Sequence, residues 1–279
     1  MYKRNNTSNE SVIFDWGDNH DFYDMVKSCE NNPSTPYILK YFPKNCFILE
    51  AGCGPGHFVK YLCEKGYKVI GVEINKEVVL QCNLLEPDID VRFGDVSNLK
   101  FNDNYFDGVM SLGVIEHFLH GPEKALNEMF RVLKPGGIGI ISTPCFNYLR
   151  FIKKYTGLAY LDYYLRKLVL FIRGKKPFYY NNMKKMKGFV YKYNRWPVLG
   201  GFFEYRFTKK ELENFIKKAG FKIVEGIELE RLGGLYHELG GILVDLKNPS
   251  RFIKFINKLF SFIPFFNNHT YLCVVTKNK

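Results

Sequence analysis

The sequence predicts an α/β fold, a doubly wound and mostly parallel sheet interrupted by helical cap segments. Three observations carry that expectation. An apolar run at residues 46–49 ends in three glycines spaced two apart, Gly52, Gly54 and Gly56, and helical periodicity follows it. Short apolar runs then alternate with helix-forming stretches from residue 67 to residue 142. The tail repeats the alternation, with a helical face at 208–219, a strand at 221–229 and a last strand at 271–276. Strands separated by helices imply parallel neighbours with right-handed crossovers, and ligands bind at the carboxyl edge of such sheets.

The elements follow in order. Residues 1–45 read as an N-terminal arm plus a helix, broken by Pro33 and Pro36 before residues 37–41 lead into the first strand. Residues 46–49 are too few and too punctuated for a buried helix, so they read as a buried strand feeding a tight turn. From His57 the apolar positions Phe58, Val59, Leu62 and Cys63 keep helical spacing until Gly66 stops them. Strand, glycine turn and helix together let backbone approach a ligand while the helix N-terminus offers N–H groups. That is a cofactor-binding turn. A second strand at 67–73 ends in Glu73, a helix spans 75–85, and a third strand at 89–93 ends in Gly94 and Asp95. A fourth strand covers 106–113. Residues 122–133 are amphipathic, with Ala125, Leu126, Met129, Val132 and Leu133 on one face. Leu133-Lys-Pro-Gly-Gly137 reads as a turn into an apolar strand at 138–142, and Thr208-Lys-Lys-Glu211 as a capping box opening the late helix.

Composition sets the outer limits. At 279 residues, 32.7 kDa and 46% hydrophobic, the chain can bury one large core with room for a cap. Seven cysteines without a Cys-x-x-Cys pair argue against a disulfide framework and a zinc site. The N-terminus lacks an apolar signal region, and no apolar stretch approaches the ~18 residues of a membrane span, so a cytoplasmic protein is expected, with attachment to a membrane surface left open.

The details of the glycine turn select among cofactors. In the dinucleotide register of Gly52 and Gly54, His57 falls where a small residue should pack against the sheet, which fits poorly. Glu-x-Gly-x-Gly-x-Gly from Glu50 to Gly56, followed by Glu73, Gly94-Asp95, the Phe106-Asp107 strand with Glu116-His117, and Leu133-Lys-Pro-Gly-Gly137, fits another pattern. Over roughly residues 46–143 the chain resembles the class I S-adenosylmethionine (SAM) dependent methyltransferases. The resemblance implies a Rossmann-like, seven-stranded sheet with an antiparallel last strand, and SAM as cofactor. SAM carries a sulfonium and an ammonium but no phosphate, so an anionic turn suits it.

By resemblance, Glu73 would accept both ribose hydroxyls and Asp95 the adenine amino group. The implied cofactor-binding set is Glu50, Gly52, Cys53, Gly54, Gly56, Glu73, Ile74, Asp95, Val96, Ser111, Leu112 and Gly113, with the aromatic and acidic residues 11–24 as a lid. His117, just past the fourth strand, is the candidate general base, and His237 a second one. Some relatives bind a divalent metal through Glu-x-x-Glu-His; here Gly113-Val-Ile-Glu116-His117 lacks the first carboxylate, and no metal is expected.

The expected organisation is an arm and lid at 1–45, a SAM-binding core at 46–145, a basic aromatic cap at 146–205, a core helix and strand at 206–230, a second cap at 231–269 and the last core strand at 270–279. Between Arg150 and Gly200 thirteen Lys and Arg face one acid, Asp162, a net +12 that equals the formal charge of the whole chain. Charge so concentrated concerns partners rather than fold. An anionic membrane surface, a nucleic acid and an acidic small or lipid-linked substrate each suit part of it; nucleic acid ranks last, because Lys outnumbers Arg and no RNA-binding module is visible. Apolar faces packing on the core or on a second copy, with solvated lysines, remain the plain reading, so a homo-oligomer stays open. The leading functional expectation is a SAM-dependent methyltransferase acting at oxygen of a small-molecule, glycan or lipid-linked acceptor. The alternatives are a non-catalytic SAM-fold binding module and an RNA methyltransferase.

Overall fold

The computed structural model describes residues 21–156, 204–239 and 249–278, together with Leu168 and Ile172. Most of the expected lid and of the basic aromatic cap lies outside the described residues, as does the side chain of His237. The chain divides into two units. The first comprises Met1–Thr143, Lys210–Ile227 and Tyr271–Lys279, and the second Pro144–Lys209 and Glu228–Thr270.

The first unit is built on a seven-stranded sheet. In chain order its elements are α1 (Phe22–Ser28), α2 (Thr35–Tyr41), β1 (Phe47–Ala51), α3 (His57–Glu64), β2 (Lys68–Glu73), α4 (Lys76–Leu85), β3 (Asp90–Phe93), β4 (Phe106–Leu112), α5 (Glu123–Val132) and β5 (Leu133–Pro144), then α7 (Lys209–Lys218), β6 (Lys222–Leu229) and β7 (Thr270–Thr276). The strand order is β3-β2-β1-β4-β5-β7-β6. The pairs β1–β2, β1–β4, β2–β3 and β4–β5 are parallel. β7 runs the other way: Gly136 N donates to Lys277 O at 2.8 Å while Gly139 lies against Val275, so β7 numbers fall as β5 numbers rise. Ile48, Leu49, Val109, Met110, Ile140, Ile141, Leu272 and Val274 are all fully buried, as befits strands covered on both faces.

The helix expected ahead of the first strand includes residues 37–41, with Pro36 in its first turn, where the missing N–H is not needed. One local expectation changes. Leu133-Lys-Pro-Gly-Gly137 is not a turn ahead of the strand. Phe106 pairs with Leu133 and Gly108 with Ile138, so three extra residues bulge out within β5, and the Lys277 carbonyl takes the amide of Gly136 at positive φ.

The second unit carries α6 (Tyr148–Tyr155), α8 (Arg231–Leu239) and α9 (Arg251–Leu259). Asn147 caps α6 by accepting from Arg150 N at 2.9 Å, and its own amide donates to Asn268 O at 2.7 Å. Arg150 is buried, its guanidinium bonded to Cys145 O and set 2.8 Å from His269 Nδ1. Leu235 of α8 and Ile253 of α9 form a small core with Leu149, Leu232, Tyr236 and Ile256. No helix among the described residues is long and apolar enough to cross a membrane.

Candidate functional site

The ends of β1 and β2 and the glycine turn are joined by one side chain. Glu73, buried at the tip of β2, accepts from Gly54 N at 3.0 Å on Oε2 and from Asn75 N at 2.9 Å on Oε1, and the Ile74 amide also bonds it. The amides of Gly52 and Cys53 both reach Val72 O, at 2.8 and 3.0 Å. Asn75 caps α4 by accepting from Glu77 N and Val78 N. The turn thus receives its shape from the neighbouring strand.

Gly52, Gly54 and Gly56 all have positive φ, at 84, 55 and 83°. Gly56 also has no room: a Cβ there would lie 2.9 Å from Cys82 Sγ on α4 and 3.0 Å from Val91 Cγ2 on β3. It holds the close-packing place that the dinucleotide register had put at His57. Left-handed backbone costs an L-residue about 1–2 kcal/mol, and overpacking about 1–3 more. Gly56→Ala is therefore expected to destabilise the chain by about 2–5 kcal/mol in denaturant unfolding, and an unchanged midpoint would contradict this packing.

Glu50, one residue before the end of β1, is only 3% exposed. The Val59 amide in the first turn of α3 donates to its carboxyl, yet its Oε2 is buried without a hydrogen-bond partner. Burial, and then the charge of Glu73, push its pKa well above the carboxylate range. Burial also raises Glu73, against the pull of its three amides. Among the described residues neither acid has an ion-pair partner. Burial lowers the pKa of His57, in the first turn of α3, to about 4, so the imidazole is neutral at pH 7 and adds no cation. A buried carboxyl with one unsatisfied oxygen, Glu50, beside a second acid, Glu73, suits a cationic group better than a phosphate. The residues present therefore fit SAM.

The remaining positions lie along the same edge. Gly94 N donates to Glu73 O at 2.9 Å, which sets Asp95 beyond the tip of β3; its Oδ1 accepts from Ser97 N and Oγ, both at 2.8 Å. Val96 is buried beside it. On β4, Met110 is in register with Glu50, and Ser111 is fully buried with its Oγ lacking a hydrogen bond. Leu112 ends the strand, and Gly113, exposed at φ 72°, donates to Ser142 O at 2.9 Å. His117 closes the 3-10 turn Ile115–His117 and is buried, with its Nε2 3.8 Å from Glu116 Oε1. Cys53 borders both acids, and burial pushes its thiol well up, as it pushes Cys29, Cys46 and Cys145 to about 12 and Cys82 to about 11. All seven cysteines are free thiols, and those five are protonated rather than nucleophilic at neutral pH.

Glu116, named in the sequence only within the Glu116-His117 motif, is 1% exposed and is the carboxylate beside His117. Sequence reasoning missed two residues at this edge. Val114 lies over Gly52, its Cγ2 2.5 Å from where a Cβ would be. Asn75 ties Glu73 to the start of α4. Only Asn75 left a sequence signal, as a capping residue ahead of a helical run.

Proteins of known class share the segment that carries this geometry. Residues 49–141 match the methyltransferase domain family. A probable S-adenosylmethionine-dependent methyltransferase of Mycolicibacterium smegmatis is 36% identical over 97 residues, covering 35% of this chain and 37% of that one. A demethylmenaquinone methyltransferase of Renibacterium salmoninarum is 32% identical over 125 residues, 43% of this chain and 49% of that one. Both matches span less than half of either protein. The crystal structure of a SAM-dependent methyltransferase of Methanosarcina mazei superposes with a TM-score of 0.53 at 20% identity, over 87% of this chain and 97% of that one. Residues 49–141 are therefore similar to a class I SAM-dependent methyltransferase domain, a class whose cofactor is SAM.

Proposed function

We propose that this chain transfers a methyl group from SAM to a small-molecule, glycan or lipid-linked acceptor, at oxygen. The observation that carries the reading is the Glu50–Glu73 pair: two buried carboxyls beside a glycine turn, with one oxygen left unsatisfied and no ion-pair partner among the described residues. Glu50 would hold the ammonium of SAM, Glu73 the ribose and Asp95 the adenine, with Gly52, Cys53, Gly54, Gly56, Ile74, Val96, Ser111, Leu112 and Gly113 shaping the walls. SAM supplies an electrophilic methyl group, so the chain's part is to hold an acceptor atom in line and, for a hydroxyl, to take its proton. His117 fills the second role, an imidazole with its Nε2 3.8 Å from Glu116 Oε1, and this pair supports oxygen as the acceptor atom.

Calorimetry tests the core of the reading. SAM and its demethylated product bind while NAD does not; failure to bind SAM would leave a non-catalytic module. Binding of RNA that weakens steeply with salt would favour the nucleic-acid alternative. His117→Ala is expected to lower kcat by about 10²–10⁴-fold with SAM affinity unchanged. Equal loss of both would make His117 structural.

A further inference from the structure

The geometry of α9 points to a second function, docking of the chain on an anionic membrane surface through the outer face of Arg251–Leu259 and the turn after it, and we propose this as a property independent of the cofactor site. The helix is anchored from one side only. Ser250 caps it by accepting from Ile253 N, Ile253 and Ile256 pack on Leu235 and Tyr236 of α8, Asn257 accepts from Asn267 at 2.9 Å, and Phe260 stacks on Phe266 with ring centroids 4.0 Å apart. Those interactions account for its inward residues.

The outward residues form two adjacent stripes. Phe252, Phe255, Leu259 and Phe262 follow one another at spacings of three and four, and they are 68, 61, 50 and 81% exposed. Arg251, Lys254 and Lys258 repeat the same spacing one residue earlier, all exposed. On a 3.6-residue period the two rows run side by side, an apolar ridge against a basic one. Aromatic side chains so exposed are not placed by the needs of the fold, since the helix already has a buried face.

Charge identifies the occupant. From Leu246 to the end of the chain there is no Asp or Glu, while Lys247, Arg251, Lys254 and Lys258 cluster in and just before the helix. An apolar ridge beside a row of bases, on a stretch of chain without acids, matches a surface that offers acyl chains and anionic headgroups together. A second copy of this chain would bring the same bases against themselves, so charge opposes that occupant.

Vesicle co-sedimentation of the full chain tests the proposal. Vesicles of phosphatidylcholine with a quarter phosphatidylglycerol should pull the chain down, and pure phosphatidylcholine should not. Neutralising two bases, Arg251→Ser with Lys254→Ser, should weaken binding about 25-fold, from roughly five-fold per base. Phe252→Ser with Phe255→Ser should weaken it as much even in low salt, while leaving circular dichroism and SAM binding as in the parent. Absence of binding, binding that ignores the aromatic pair, or binding equal on neutral lipid would overturn the proposal. So would concentration-dependent self-association in sedimentation velocity that the aromatic pair abolishes, which would mark the ridge as a dimer face. A chain that binds vesicles but not SAM would defeat the proposed function and leave this inference standing.

Discussion

Replacing Glu73 by alanine is expected to remove calorimetrically detectable SAM binding, a loss of at least about a hundred-fold. A carboxylate that accepts two hydroxyls gives up two charge-assisted hydrogen bonds when truncated, each about 1.5–3 kcal/mol. The same side chain holds Gly54 N and Asn75 N, so the variant also loses the clamp between the glycine turn and β2. Both bonds are buried, so leaving the two amides without their acceptor is expected to cost about 2–6 kcal/mol of stability, from about 1–3 kcal/mol each. Glu73→Gln separates the two roles. It keeps a carbonyl oxygen for one amide and recovers part of the stability, while affinity stays low because the charge is gone. Unimpaired SAM affinity in the alanine variant would remove the ribose assignment.

Glu50→Gln should abolish a pH dependence that the parent shows in both stability and affinity. The folded-state pKa of Glu50 lies well above its unfolded value through burial and the nearby Glu73 charge. A group raised on folding contributes stability fully present below its unfolded pKa, about 4.3, and lost as pH rises through the folded one. The difference in unfolding free energy between parent and variant should accordingly drift in the variant's favour from about pH 4 upward, by about 1.4 kcal/mol per pH unit until the folded-state pKa is passed. Affinity runs the opposite way. A cation next to Glu50 lowers the raised pKa, so parent binding tightens with rising pH and releases a proton, visible as a heat that depends on the buffer's ionisation enthalpy. The variant should release none and bind about ten-fold or more weakly at pH 8. A parent–variant difference flat with pH would sink the assignment of Glu50 to the cation. If it holds, the carboxyl lowers the stability of the ligand-free chain in exchange for recognition, as functional sites commonly do.

Much of this was legible because the signals are local. The run ending in Gly52, Gly54 and Gly56 gave strand, turn and helix in order, and the acids Glu50, Glu73 and Asp95 emerged at the carboxyl edge because each stands at or near the end of an apolar run. Leu133-Lys-Pro-Gly-Gly137 misled for a complementary reason: proline and two glycines are turn signals, and only pairing with β4 and the Lys277 carbonyl turns them into a bulge. His57 looked like a misfit in the glycine motif until the packing put Gly56 in the crowded place. In residues 251–262 the apolar spacing does not say which face is buried; α8 takes Ile253 and Ile256 and leaves Phe252 and Phe255 outside.

By itself the sequence determined the α/β order, the glycine turn and the row of carboxylates at the sheet's edge, since periodicity, turn chemistry and chain direction act over a few residues. The tertiary structure alone decided that Glu73 clamps the turn, that Glu50 keeps a buried oxygen unsatisfied, and that Phe252, Phe255 and Leu259 of α9 are exposed. Each of those depends on which atoms arrive from elements distant in the chain, because desolvation and hydrogen-bond satisfaction are set by what packs opposite a residue and not by its neighbours in sequence.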